Sequence, residues 1–134
     1  MKSALAERQQ RALNSFFSEH REVLFAYLFG SYASGKLNKL SDIDIALYID
    51  EAAVAGKEYR YGYKAQILSE LMLVLHKNEV DLVILNEAPP LLAHRAIYRG
   101  ELLFSRDDKT RNEFAVRAFN KYMDYKLIMR EHNK

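Results

Sequence analysis

Three features of this chain have the residue types and spacing to act together: a Gly30-Ser31 turn, the pair Asp42 and Asp44 ten residues further on, and a later aspartate, Asp81. Asp42-Ile43-Asp44-Ile45-Ala46-Leu47-Tyr48-Ile49 reads as a strand, so alternation puts both carboxylates on one face and Ile43 and Ile45 on the other. Like charges held that close raise one another's pKa and are costly unless a cation lies between them. Oxygen donors with room for water suit magnesium or manganese. Two such ions about 3.5–4 Å apart stabilise both the attacking and the leaving oxygen of an in-line displacement at phosphorus. Gly30 lets the backbone approach a ligand closely, and Ser31-Tyr32-Ala33-Ser34 reads as the first turn of a short helix whose N–H groups favour phosphate. The Ser31 hydroxyl is a further donor. The chemistry is that of a site binding a nucleoside triphosphate as its metal complex.

Asp81 is the acid within the apolar run Val80-Asp81-Leu82-Val83-Ile84-Leu85. Beside the Asp42/Asp44 strand it completes a triad, holding the metal nearest the acceptor and taking the acceptor proton. The plainer alternative is a strand-end residue left in solvent. Lys36 and Lys39, in the loop between Ser31 and Asp42, are within reach of a triphosphate, although exposed loop lysines are commonly just solvated. Arg95 and Arg99 are similar cases. His76 and His94 have no ligand partner at metal spacing and receive no catalytic role. Most of the nine tyrosines lie on apolar stripes, where burial with one hydrogen bond accounts for them.

The elements that must position these residues follow from periodicity. A helix is expected from about Ser3 to Ser18, with Leu5, Ala12, Leu13, Phe16 and Phe17 on one stripe. Strand Leu24–Phe29, helix Ser31–Ser34, a polar loop through Lys39 and strand Asp42–Ile49 then form the unit that carries the site. A long helix from about Gly56 to Lys77 presents Tyr59, Tyr63, Ile67 and Leu71 at four-residue steps, with Leu68, Met72 and Leu75 beside them. Strand Val80–Leu85 follows, and Pro89-Pro90 marks the break before a helix from about Leu91 to Tyr98 that Gly100 ends. Glu101-Leu102-Leu103-Phe104 reads as a last strand. From about Asp107 to His132 a terminal helix carries Phe114, Ala118, Phe119, Tyr122, Leu127 and Ile128. Its stripe either packs on the core or leaves an exposed face for a partner.

The expected fold class is α/β (α+β): a small mixed sheet packed by helices in a single domain spanning 1–134, since 134 residues give room for one core. A net charge of +2 from 20 basic and 18 acidic residues gives no footprint for extended DNA or RNA. The absence of cysteine excludes disulfides and thiolate zinc sites and fits a reducing cytoplasm. The charged start, Met1-Lys2-Ser3-Ala4-Leu5-Ala6-Glu7-Arg8, lacks the apolar core of a signal peptide, and no run approaches the roughly 20 apolar residues of a membrane span. A soluble, cytoplasmic protein is expected.

Gly30-Ser31, ten residues, Asp42-x-Asp44 and a later Asp81 in an apolar strand together resemble the polymerase-β-type nucleotidyltransferase superfamily. The likeness is to its minimal members, the MNT-type antitoxins paired with HEPN-domain toxins. It covers nearly the whole chain, with Leu91 to Phe104 resembling the segment after the third aspartate. The resemblance implies a nucleotidyltransferase fold and an antitoxin that moves AMP from ATP onto a tyrosine hydroxyl of a HEPN ribonuclease, releasing pyrophosphate (AMPylation). It assigns phosphate binding to Gly30 and Ser31, and Mg2+ or Mn2+ binding with acceptor activation to Asp42, Asp44 and Asp81. Two other readings stand beside it: a module that inhibits the toxin by binding alone, and a small-molecule nucleotidyltransferase. The second of these normally has an extra helical domain, for which this chain has no room.

Overall fold

The computed structural model describes residues 4–37 and 41–132; Lys39 lies outside them. Four strands form one sheet: β1 (Val23–Phe29), β2 (Ile43–Ile49), β3 (Val80–Ile84) and β4 (Glu101–Ser105), in the order β3-β2-β1-β4. β1 runs antiparallel to β2 and β4, whereas β2 and β3 are parallel. The sheet is therefore mixed, and a parallel pair needs a long crossover. Helix α4 (Tyr63–Leu75) supplies it. The other helices are α1 (Glu7–Glu19), α2 (Gly30–Ser34), α3 (Glu51–Val54), α5 (Pro90–Tyr98) and α6 (Asp108–His132), with a 3-10 turn at Leu85–Glu87.

Alternation along the strands divides the core in two. Ala26, Leu28, Ile43, Ile45, Leu47, Val80, Leu82 and Ile84 face Leu13, Phe16 and Phe17 of α1 and Ile67, Leu71 and Leu75 of α4. Phe25, Tyr27, Phe29 and Ala46 face the other way, onto Ala93 and Ala96 of α5 and Ala118 of α6. The alanines let these two helices approach closely. A register shift between Val23 and Phe25 puts Val23 on the first face and both Leu24 and Phe25 on the second, as one bulged residue must.

Three elements differ from the sequence expectation. Helix α1 begins at Glu7 rather than near Ser3, because the Ala4 N–H donates to Tyr32 O at 2.8 Å and Leu5 is buried in that extended approach. The Gln9 side chain then accepts from the Ala6 N–H at 2.9 Å. The long helix expected from Gly56 to Lys77 is shorter, α4 covering only Tyr63–Leu75. Asp50 caps the short α3 by accepting from Ala52 N–H at 3.1 Å, Gly56 and Gly62 adopt φ of 79° and 90°, and α4 starts only at Tyr63. His76, at φ 52°, ends it. Tyr59 thus lies off the helix, edge-on to Tyr63 at 5.5 Å between ring centroids. Helix α6 starts one residue late because Asp107 caps it, accepting from the Thr110 N–H at 3.0 Å and its hydroxyl at 2.7 Å. Among the described residues no helix is long and apolar enough to cross a membrane.

Candidate functional site

Strand β1 is apolar to its last residue, and Gly30 follows at φ 69°. A left-handed residue there turns the chain directly from strand into α2, which few side chains tolerate. The turn also lies against β2: a Cβ on Gly30 would collide with Oδ2 of Asp44 and lie 3.2 Å from its Cγ. Glycine is thus required twice, by φ and by the carboxylate behind it. The first N–H groups of α2 have no acceptor within the helix, and the Ser31 side chain sits half-exposed beside them.

Asp44 pairs in register with Phe29 of β1 on one side and with Asp81 of β3 on the other. Cross-strand partners share a face, so Asp44 and Asp81 project side by side on the Phe29 side of the sheet. Asp42, two residues earlier at the lip of β2, is exposed, as is Asp81, while Asp44 is half-buried. Burial, and then the neighbouring charges of Asp81 and Asp42, push the Asp44 carboxyl up to about 6. The structure therefore brings Asp42, Asp44, Asp81 and Gly30-Ser31 to one end of the sheet.

Among the described residues, no group of three histidine, cysteine, aspartate or glutamate side chains is drawn tightly enough together to hold a metal ion as placed. The chemistry of Asp42, Asp44 and Asp81 nonetheless fits one: all donors are oxygen, they come from adjacent strand ends, and the repulsion that raises Asp44 is what a divalent ion relieves.

The remaining residues singled out in the sequence are placed as follows. Lys36 is exposed after α2. Arg95 and Arg99 are exposed near the end of α5, which reaches the site end of the sheet, since a Cβ on Gly100 would lie 2.6 Å from Leu28 O. His94 is stacked on Tyr122 at 3.7 Å and on Tyr98 at 4.8 Å. Burial, Arg99 and Lys126 lower its pKa. His76 serves as the left-handed stop of α4.

A cavity of about 450 Å3 beside Glu22, Glu58, Tyr59, Tyr63 and Glu70 has no signal in the residue pattern. It lies at the start of β1, the opposite end from Gly30. Two of its acids are already engaged: the Tyr63 hydroxyl donates to Glu22 at 2.8 Å, and His20 Nε2 is 3.5 Å from Glu70. The aspartates, not this cavity, have the arrangement for phosphoryl chemistry.

Residues 11–109 match the family model described as polymerase beta, nucleotidyltransferase. Over 98 residues the chain is 33% identical to the protein adenylyltransferase MntA of Shewanella oneidensis, the aligned stretch being 72% of this chain and 63% of MntA. The match thus spans less than two-thirds of that relative. The fold superposes on a chain of a toxin-antitoxin crystal structure with AMP-PNP, with a TM-score of 0.71 and 23% identity, covering 93% of this chain and 98% of that one. It also superposes on a chain of the tri-AMPylated Shewanella oneidensis HEPN toxin in complex with MNT antitoxin, with a TM-score of 0.64 and 24% identity over 94% and 99% of the two chains.

Proposed function

Because the chain belongs to the polymerase beta nucleotidyltransferase family, we propose that it is an antitoxin that transfers AMP from ATP onto a tyrosine hydroxyl of a HEPN-domain toxin, releasing pyrophosphate, in the cytoplasm. The observation that carries this reading is the register of Asp44 beside Asp81, with the Gly30 turn packed on the Asp44 carboxylate. Similarity to a protein adenylyltransferase and to chains from toxin-antitoxin complexes, one with AMP-PNP and one with an AMPylated HEPN toxin, supports the choice of nucleotide, acceptor and partner.

Asp42, Asp44 and Asp81 would hold magnesium or manganese, which supplies charge neutralisation at the phosphates and at the attacking oxygen. Gly30 and the N–H groups that follow it, with the Ser31 hydroxyl, would hold the phosphates. The tyrosine oxygen attacks the α-phosphorus, the bond from that phosphorus to the bridging oxygen breaks, and pyrophosphate leaves. Asp81, exposed at the rim of the site, would receive the tyrosine proton.

The test is intact-mass spectrometry of the HEPN partner after incubation with this protein, magnesium and each of the four ribonucleotides in turn. A variant carrying Asp42→Asn and Asp44→Asn together serves as the control. Adenylyl-sized gains that need ATP, and that fall at least about a thousandfold in rate in the variant, are expected from losing both charged ligands. A partner inhibited equally by both proteins without gaining mass would replace the transferase reading with inhibition by binding.

A further inference from the structure

Helix α2 is a single turn, and one turn has little stability of its own. After Gly30 its direction is set by what holds Tyr32, and Ser31 lies between the two. Tyr32 is held in three ways. Its ring is buried among side chains on the α1 and α4 side of the sheet, its carbonyl accepts from the Ala4 N–H at 2.8 Å, and the Lys77 ammonium lies over its ring, 5.7 Å from the centroid. The Lys77 side chain is 26% exposed, so its charge is partly withdrawn from water, where a cation gains most from an aromatic face. Its ion pair with Glu79 is long, at 3.9 Å, and the Glu79 side chain is 61% exposed, so that carboxylate competes weakly for the ammonium.

Lys77 is itself fixed by its neighbours. The left-handed His76 ends α4 and lets the Lys77 N–H donate to Met72 O at 3.1 Å. Two residues on, the Glu79 carbonyl accepts from the Ile43 N–H at 2.9 Å, and Ile43 lies between Asp42 and Asp44. One short stretch, 76–79, thus grips α2 through a side chain and β2 through the backbone. The Gly30-Ser31 turn and the strand that carries the two acids take their positions from the same four residues. Tyr32 belongs to the α1 and α4 side, whereas Asp44 projects on the Phe29 side, so Lys77 acts through the ring and not on the acids' side of the sheet.

We propose that Lys77 is a positioning residue for nucleotide binding: its charge over the Tyr32 ring sets the Gly30-Ser31 turn in place relative to Asp42 and Asp44. This rests on the transferase reading above, in which that turn holds the phosphates of ATP.

AMP transfer from MgATP to the HEPN toxin would be measured for the wild type and for four variants: Lys77→Met, which keeps the apolar stem and drops the charge, Lys77→Arg, Tyr32→Leu, and Lys77→Met with Tyr32→Leu. Contacts that hold the phosphates equally in bound ATP and in the transition state affect KM and leave kcat unchanged. Lys77→Met should therefore raise KM for ATP about five- to tenfold with kcat within about twofold, at the wild-type melting temperature. Lys77→Arg should restore KM, since a guanidinium also sits over a ring. Tyr32→Leu, although less stable, should raise KM as much, and the double variant no further. A wild-type KM in Lys77→Met, whatever its melting temperature, would overturn the proposal and leave the transferase reading intact. So would an arginine variant as impaired as the methionine one, or effects of the two substitutions that multiply in the double variant. Wild-type protein that transfers no AMP would overturn both.

Discussion

The two faces of the sheet are built from alternate residues of the same strands, yet they differ in kind. Towards α1 and α4 every strand contributes apolar side chains, and Ile43, Ile45, Leu47 and Leu82 are almost completely buried. Towards α5 and α6 the same strands place Asp44, Ala46 and Tyr48 on β2, and Asp81 and Val83 on β3. Of these only Ala46 is buried. Both faces carry core, the second through Phe25, Tyr27 and Phe29 of β1, but on β2 and β3 the second face gives some stability up, because half-burying one carboxylate beside two others is unfavourable for folding. A face kept at such a cost is where a ligand is expected to repay it.

The comparison is broken most directly by trimming one apolar side chain to alanine on each face of one strand. Leu82→Ala empties a site that is 1% exposed and should cost about 2–5 kcal/mol. Val83→Ala, one residue on and half-buried on the other face, should cost roughly 1 kcal/mol or less, since its surroundings are already partly solvent. Urea denaturation measures both. Equal losses would mean that the open face is as tightly packed as the closed one.

A smaller effect separates the two demands on Gly30. Gly30→Ala forces an alanine to φ 69° and drives its Cβ into the Asp44 carboxylate, at an expected cost of about 1–3 kcal/mol. Phosphate binding should be lost with it. Repeating the change in an Asp44→Ala background removes the collision and leaves only the backbone strain. A double-mutant cycle by chemical denaturation should therefore show a coupling of about 0.5–2 kcal/mol. Zero coupling would mean that the turn and the carboxylate do not meet.

Much of this arrangement was legible in the sequence because it is local. Alternation along Asp42 to Ile49 fixes which way both acids point, and an apolar run ending in Gly-Ser fixes where β1 stops. The pairing of Asp44 with Asp81 is a relation between strands 37 residues apart in sequence. It was accessible only in so far as the Asp81 strand was expected beside the Asp42/Asp44 strand; that the two run parallel was not. What periodicity misread was the stretch from Gly56 to Gly62: Tyr59 keeps helical spacing with Tyr63, but two glycines at positive φ outweigh the pattern. The late start of α1 was equally hidden, since the hydrogen bond from Ala4 to Tyr32 is long-range. Along α6 the apolar residues divide between two arcs of one helix: Phe114, Ala118 and Tyr122 pack inward, while Phe119, Leu127 and Ile128 stay in water.

The smallest expected effect is the most specific to the open face. With magnesium chelated, Asp44 is pushed from its ordinary 3.8 up to about 6, by burial first and then by Asp81 and Asp42. Well below 3.8 the carboxyl is protonated in folded and unfolded chains alike and contributes nothing to pH dependence. As pH rises towards 6, the unfolded chain releases the proton while the folded chain keeps it, so stability falls across that window and stays lower above it. Asp44→Asn has no proton to lose and escapes this penalty. It should therefore melt about 2–4 °C above the wild type at pH 7.5, a gain held down because the group is partly solvated. At pH 3.5 the difference should nearly vanish. Paired thermal melts in EDTA at the two pH values measure it. A variant less stable than wild type at pH 7.5, or a gain equally large at pH 3.5, would show that Asp44 is not under charge repulsion, and the argument that this face gives up stability for a cation would lose its basis.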